Sequence, residues 1–194
     1  MFKIIFFNLL AYLIGSISSA IIVCRLKNLP DPRTHGSKNP GATNVLRIGG
    51  KSAAIYVVLG DVLKGFVPIM LAKVFGIEGF ALATIGISAV LGHIFPLFFK
   101  FKGGKGIATA FGVLLALSWL LGILVALSWG IVAFLFHYSS LAGIVAALLA
   151  PVYSYFLTPN SYVPAILLLS GLILFRYREN IKRLLKGTEP PLSR

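Results

Sequence analysis

Acidic side chains are scarce in this sequence: five Asp and Glu stand against eighteen Lys and Arg, a formal net charge of +13 over 194 residues. Charge of either sign is scarce too, at 12% against roughly 25% in ordinary globular domains. So few charges could not screen a chain that is 58% hydrophobic from water. That excludes a cytosolic globular enzyme, a disordered tail and a fibrous repeat. The lone cysteine, Cys24, excludes an internal disulfide and a multi-cysteine metal centre, and reads as a buried small hydrophobe. There is no H-E-x-x-H zinc spacing, no G-x-x-x-x-G-K-[ST] phosphate loop and no G-x-S-x-G nucleophile elbow. No metal and no cofactor is expected.

What the chain does have is long apolar runs. The run 4–24 follows Met1-Phe2-Lys3 and could imitate a signal peptide. It is followed by no A-x-A cleavage pattern and by more runs of the same kind, so it reads as a retained membrane helix. Others occupy 52–76, 80–99, 106–136, 141–157 and 163–176. As one helix, 106–136 would span about 46 Å, against a hydrocarbon core of about 30 Å. A turn near Ser118–Gly122 divides it into 106–117 and 119–136. The expected fold is an all-α integral membrane protein, one domain over 1–194, built as a polytopic bundle of seven transmembrane helices. Five or six crossings stay open, because 106–117 and 163–176 are short. Ile181, Leu184 and Leu185 recur at helical spacing and predict a short interfacial helix at about 178–186. Small-residue pairs such as Gly15/Ser19 and Ser88/Gly92 suit close helix contacts in lipid.

Lys and Arg gather in 25–51, in 100–105 and from Arg176 onward. Seven crossings place all three blocks on the cytoplasmic side, with the N-terminus outside and the C-terminus inside. The expected location is the bacterial cytoplasmic (inner) membrane, with membrane lipids rather than nucleic acid as surroundings.

Each block carries more than charge. The first, 33–47, includes Gly36-Ser37 and Asn39-Pro40-Gly41-Ala42-Thr43-Asn44, then Arg47. That composition predicts a structured loop, with neutral hydrogen-bonding groups and one guanidinium suited to a phosphate. In the second, Lys102-Gly103-Gly104-Lys105-Gly106 stands directly before a helix, where glycines, free amides and lysines suit an anion. The third, from Arg176, contains Glu179 and Asn180. Asp61 and Lys64 lie three apart inside a membrane run and read as an internal pair or a tie to the neighbouring loops.

Taken together, these blocks resemble the bacterial membrane family of acyl-phosphate:glycerol-3-phosphate acyltransferases (PlsY). The likeness is carried by Gly36-Ser37 with Asn39 to Arg47, Gly92-His93 with Phe95-Pro96, Lys102 to Thr109, Tyr138-Ser139-Ser140-Leu141, and Arg178-Glu179-Asn180-Ile181 with Arg183-Leu184. It implies acyl transfer from acyl phosphate to the 1-hydroxyl of sn-glycerol 3-phosphate, giving lysophosphatidic acid and phosphate. The implied catalytic residues are Ser37, Arg47, Lys105 and Asn180. Thr43, Asn44, His93, Gly103, Gly104, Gly106, Ser140 and Glu179 are the implied substrate-binding residues. The sequence departs from the family pattern at Lys38 in place of Gly, Gly143 in place of Ser, and Tyr177 in place of His. The alternative reading is a transporter of an anionic phosphorylated solute, which would share the basic loops and the Asp61/Lys64 pair. A non-catalytic lipid-binding scaffold is the third.

Overall fold

The computed structural model describes residues 1–192 and contains only helices and connecting turns among them. The first apolar run forms α1 (Phe2–Gly15) and α2 (Ser19–Leu26), a single span broken at residues 16–18. The break leaves backbone carbonyls that have no water to bond in lipid, so the protein must supply donors. The buried Lys64 ammonium donates to the Ile17 carbonyl at 2.9 Å.

The second helix, α3 (Ala42–Val74), starts ten residues before the predicted 52. Gly50, at φ +76° and ψ −177°, joins a polar two-turn helix to the apolar span. A search for long apolar runs could not find the polar half. In α4 (Gly79–Ile94) the helix stops short of residue 99, and Leu97–Phe99 forms a single 3₁₀ turn. The long run divides where expected, at Ser118, into α5 (Ile107–Leu117) and α6 (Trp119–Phe136). Ser118 has extended backbone, and its hydroxyl accepts the Leu121 N–H at 3.4 Å. Then follow α7 (Ser139–Leu157), α8 (Val163–Arg176) and α9 (Arg178–Leu185), with a bend of 57° between α8 and α9. Five spans are long and apolar enough to cross a membrane, six if α8 and α9 count as one bent span; α5 is a shorter apolar helix. The protein is an all-helical, multi-pass membrane protein.

Helices pair along their lengths, α1 with α4, α3 with α5 and α6 with α7. Gly15 and Gly92 let α1 and α4 approach closely: a Cβ on either would strike backbone of the other helix. Ser88 donates to Asn8 across the same seam at 2.7 Å. Ser19 instead faces Gly60 of α3. Lys73, in the last turn of α3, donates to the Ala116 carbonyl at the end of α5 (2.6 Å). The two helices therefore run parallel, and both start at the end of the bundle where the polar loops meet. The shared core holds Ile69, Ile85, Val90, Leu114, Leu121 and Ile166, while Phe134, Phe156 and Leu167 point outward.

Candidate active site

Four polar segments, distant in sequence, meet at one end of the bundle. Arg33 reaches the Phe99 carbonyl (3.5 Å), Arg47 reaches those of Pro190 and Pro191, and Leu192 N–H donates to His137 O at 2.7 Å. The first loop is tied internally by Asn44, which is 1% exposed. Its Oδ1 accepts the Ser37 N–H at 2.9 Å, and its Nδ2 donates to the carbonyls of Pro32 (2.8 Å) and His35 (3.0 Å). Asn44 thus shapes the loop and leaves the Ser37 hydroxyl at its exposed rim. Asp31 and Arg33 close the other side as an ion pair of 2.7 Å. The Arg33 hydrogen bond holds the Asp31 carboxyl below its ordinary value, outweighing the effect of burial. Thr43 and Arg47, four apart in the first turns of α3, share one helix face.

The glycine loop lies tight against the end of α4. Gly104 N–H donates to the His93 carbonyl at 3.2 Å. A Cβ on Gly103 would strike that carbonyl, and one on Gly104 would strike the His93 ring. Gly106, at φ +92°, turns the chain into α5. From the far side Arg176 holds the loop, its guanidinium donating to the carbonyls of Gly104 and Gly103 at 3.3 Å each. Lys105 then projects over the Tyr177 ring, its Nζ 4.5 Å from the centroid. Burial, opposed by Glu189 and helped by the charges of Arg183, Arg176 and Arg47, lowers Lys105 to about 8.

Glu189 is the residue that sequence reasoning missed. It is 8% exposed, accepts from Asn180 Nδ2 at 2.6 Å and from Arg183 Nε at 2.7 Å, and raises the affinity of Lys105 for its proton. The buried Ser140 hydroxyl faces the same carboxylate but completes no hydrogen bond among the described residues. Burial acts to raise the Glu189 carboxyl; the facing Ser140, Asn180 and Arg183 groups outweigh it and hold it below the ordinary range. As one of five acids, next to the last basic block, Glu189 carried a compositional signal. Arg176 carried none, since it reads like any other topological charge. Glu179 stands apart from this cluster, exposed and paired with Lys182 at 3.1 Å.

The departures Gly143 and Tyr177 touch. A Cβ on Gly143 would come 2.5 Å from the Tyr177 hydroxyl, so the large ring is accommodated by the missing side chain. Beyond the loop, a narrow apolar cleft runs between α5, α6, α7 and α8. Ile107, one residue from Gly106, lies at its wall, with Phe111, Val125, Ala146 and Ile173 further along. A broader depression at the other end, between Met1–Ile4 and Phe75–Glu78, holds one Lys and one Glu and none of the converging segments. No group of three His, Cys, Asp or Glu that could hold a metal lies among the described residues.

Comparison with known proteins agrees with this arrangement. Residues 5–187 match the family model described as glycerol-3-phosphate acyltransferase. A glycerol-3-phosphate acyltransferase of Shewanella loihica is 56% identical over 186 residues, covering 96% of this chain and 91% of that protein. One of Colwellia psychrerythraea is 58% identical over 183 residues, covering 94% and 93%. The crystal structure of PlsY, an integral membrane glycerol 3-phosphate acyltransferase, in its glycerol 3-phosphate form is 41% identical with a TM-score of 0.92. That match covers 97% of this chain and 94% of the other; the lysophosphatidic acid form gives a TM-score of 0.89 over the same shares. With fold, sequence and converging polar segments in accord over nearly the whole length, the chain belongs to the glycerol-3-phosphate acyltransferase family.

Proposed function

We propose that the protein transfers the acyl group of an acyl phosphate to the 1-hydroxyl of sn-glycerol 3-phosphate, giving lysophosphatidic acid and phosphate, the first step of bacterial phospholipid synthesis. The observation that carries this reading is Lys105, under the combined charge of Arg47, Arg176 and Arg183 and two residues before Ile107, which lines an apolar cleft. Phosphates need the cations and an acyl chain needs the cleft. In this reading the Arg47 fork and Lys105 hold phosphate groups, Ser37, Thr43 and Asn180 give neutral hydrogen bonds, and the 102–106 loop fixes the anion's position. The glycerol oxygen attacks the acyl carbonyl carbon, and the carbon–oxygen bond to phosphate breaks with its electron pair leaving on phosphate. A donor phosphate oxygen takes the hydroxyl proton while Lys105 and loop amides stabilise the developing charge. Acyl phosphate is already activated, so positioning and electrostatics supply most of the acceleration.

The same reading puts the site on the cytoplasmic face of the inner membrane, with seven crossings, the N-terminus outside and membrane lipids around the bundle. The parallel course of α3 and α5 supports counting α5 as a crossing. A transporter would need a site near the midplane, whereas the two charges buried between the helices, Asp61 and Lys64, are committed to each other at 2.7 Å. Purified protein in detergent, with no gradient, is expected to form lysophosphatidic acid from acyl phosphate and glycerol 3-phosphate but not from acyl thioesters. Absence of product from acyl phosphate would sink the reading.

A further inference from the structure

The proposed chemistry leaves one buried polar cluster unused. Asp61, Lys64 and His93 are 2%, 6% and 7% exposed. Lys64 Nζ lies 2.7 Å from Asp61 Oδ1 and spends a hydrogen bond on the Ile17 carbonyl. His93 Nδ1 lies 3.6 Å from the same carboxylate oxygen. His93 Nδ1 has no hydrogen-bond partner among the described residues, and Asp61 Oδ1 has the Lys64 ammonium alone beside it. The two face each other at 3.6 Å in a dry interior, so an imidazole N–H here can serve the carboxylate from the side that Lys64 leaves open. In that arrangement Nδ1 carries the proton toward Asp61, while Nε2 points the other way, at Gly104. His93 is therefore gripped on both sides. Its ring lies between Asp61 and the loop, and its carbonyl accepts the Gly104 N–H.

We propose that Asp61 is a positioning residue that acts through His93, fixing the imidazole so that the 102–106 loop is held at the distance its phosphate ligand requires. Lys64 has the supporting task of keeping the carboxylate charged in a dry interior and tying it to the broken first span. Arg176 grips the loop carbonyls from outside while Asp61 and His93 support it from beneath, so the loop position is set from two sides. Such supporting groups hold a site to within a few tenths of an ångström, and displacement by about 1 Å costs roughly a hundredfold. The inference rests on reading 102–106 as the phosphate loop.

The test uses the full chain in lipid nanodiscs. One variant combines Asp61→Asn with Lys64→Met, removing both buried charges so that neither is left uncompensated. A second is His93→Asn, which keeps an amide near Asp61 and empties the space against Gly104. The third carries all three changes. Each folded variant is expected to raise KM for a phosphate substrate roughly ten- to hundredfold, with a far smaller change in kcat. Backbone-amide exchange across 102–106, read without substrate, is expected to rise while α6 and α7 stay protected. The triple variant should be no worse than His93→Asn alone, because one path is cut twice. Unchanged KM and exchange in a folded variant, or losses that simply add, would overturn the proposal. If the Asp61/Lys64 variant does not fold, the His93→Asn arm decides by the same two readouts. Wild-type protein without acyl transfer would defeat the functional reading alone, since a rise in exchange would still support the positioning role.

Discussion

Replacing Glu189 by Gln preserves its shape and removes one charge from the centre of the polar cluster. The carboxylate accepts from Asn180 at 2.6 Å in a buried setting and from Arg183 at 2.7 Å. A hydrogen bond to a charged group contributes about 1.5–3 kcal/mol. The Arg183 side chain is 42% exposed, so its pairing is discounted by solvent screening to about 0.5–1 kcal/mol. Gln retains one acceptor, and the net loss comes to about 2–3 kcal/mol, or roughly 5–10 °C in thermal midpoint for a chain of this size. A second effect follows from charge. Glu189 raises the Lys105 pKa, so its loss moves the deprotonation of Lys105 from about 8 to lower pH. Charged Lys105 is the phosphate-binding form, and kcat/KM reports the free enzyme. The alkaline fall in kcat/KM for glycerol 3-phosphate should therefore begin at lower pH in the variant. Thermal unfolding followed by tryptophan fluorescence, together with a pH–rate series, measures both. A variant with the wild-type midpoint and the wild-type alkaline limb would refute the placement of Glu189 as the charged link between α9 and Lys105.

Further consequences are open to the same assays. Lys105→Ala should lower kcat/KM roughly tenfold to a few hundredfold, by loss of a charge-assisted contact of about 1.5–3 kcal/mol. Lys105→Arg should remove the fall in wild-type kcat/KM as pH rises through about 8, because a guanidinium stays charged. Arg47→Lys should bind glycerol 3-phosphate poorly, since an ammonium cannot reproduce the bidentate fork; normal binding in a titration would contradict the assignment. Gly143→Ser alone should drive its side chain into the Tyr177 ring and reduce both midpoint and activity, whereas adding Tyr177→His should recover much of the loss. Substrate assistance is tested by single changes at His35, His93, His137, Asp61 and Glu179. A variant that binds both substrates, has lost the chemical step and is rescued by external base would defeat it.

Legibility differed by the kind of signal. The spans were readable because lipid demands about 20 apolar residues per crossing, and the Ser118 division followed from length alone. The polar start of α3 was not readable, because residues 42–49 follow no apolar run and depend on Gly50 for their junction. Two of the site's elements, the polar segment that ends at Arg47 and the Lys105 loop, declared themselves by composition. The contacts that join them did not: Arg47 to the Pro191 carbonyl and Asn180 to Glu189 depend on how the last helix bends, and a bend of 57° leaves no mark in hydropathy. Asn44 reads in sequence as a ligand and in the structure as the knot of its own loop, because only the fold shows where its amide is used.

The bond from Arg47 to the Pro191 carbonyl joins groups 144 residues apart, and this separation has a meaning in time. At about 5–20 residues per second of synthesis, the partner of Arg47 emerges roughly seven seconds to half a minute later. Until then the start of α3 waits with its guanidinium unshared, while the apolar helices between are made one after another. A chain halted before residue 189 can bury every apolar run and still lack the Glu189 carboxylate that acts on Lys105. Burial of the apolar runs and closure of the polar cluster are therefore separate events in the life of each molecule, and the second waits until the final segment folds back onto the start of α3.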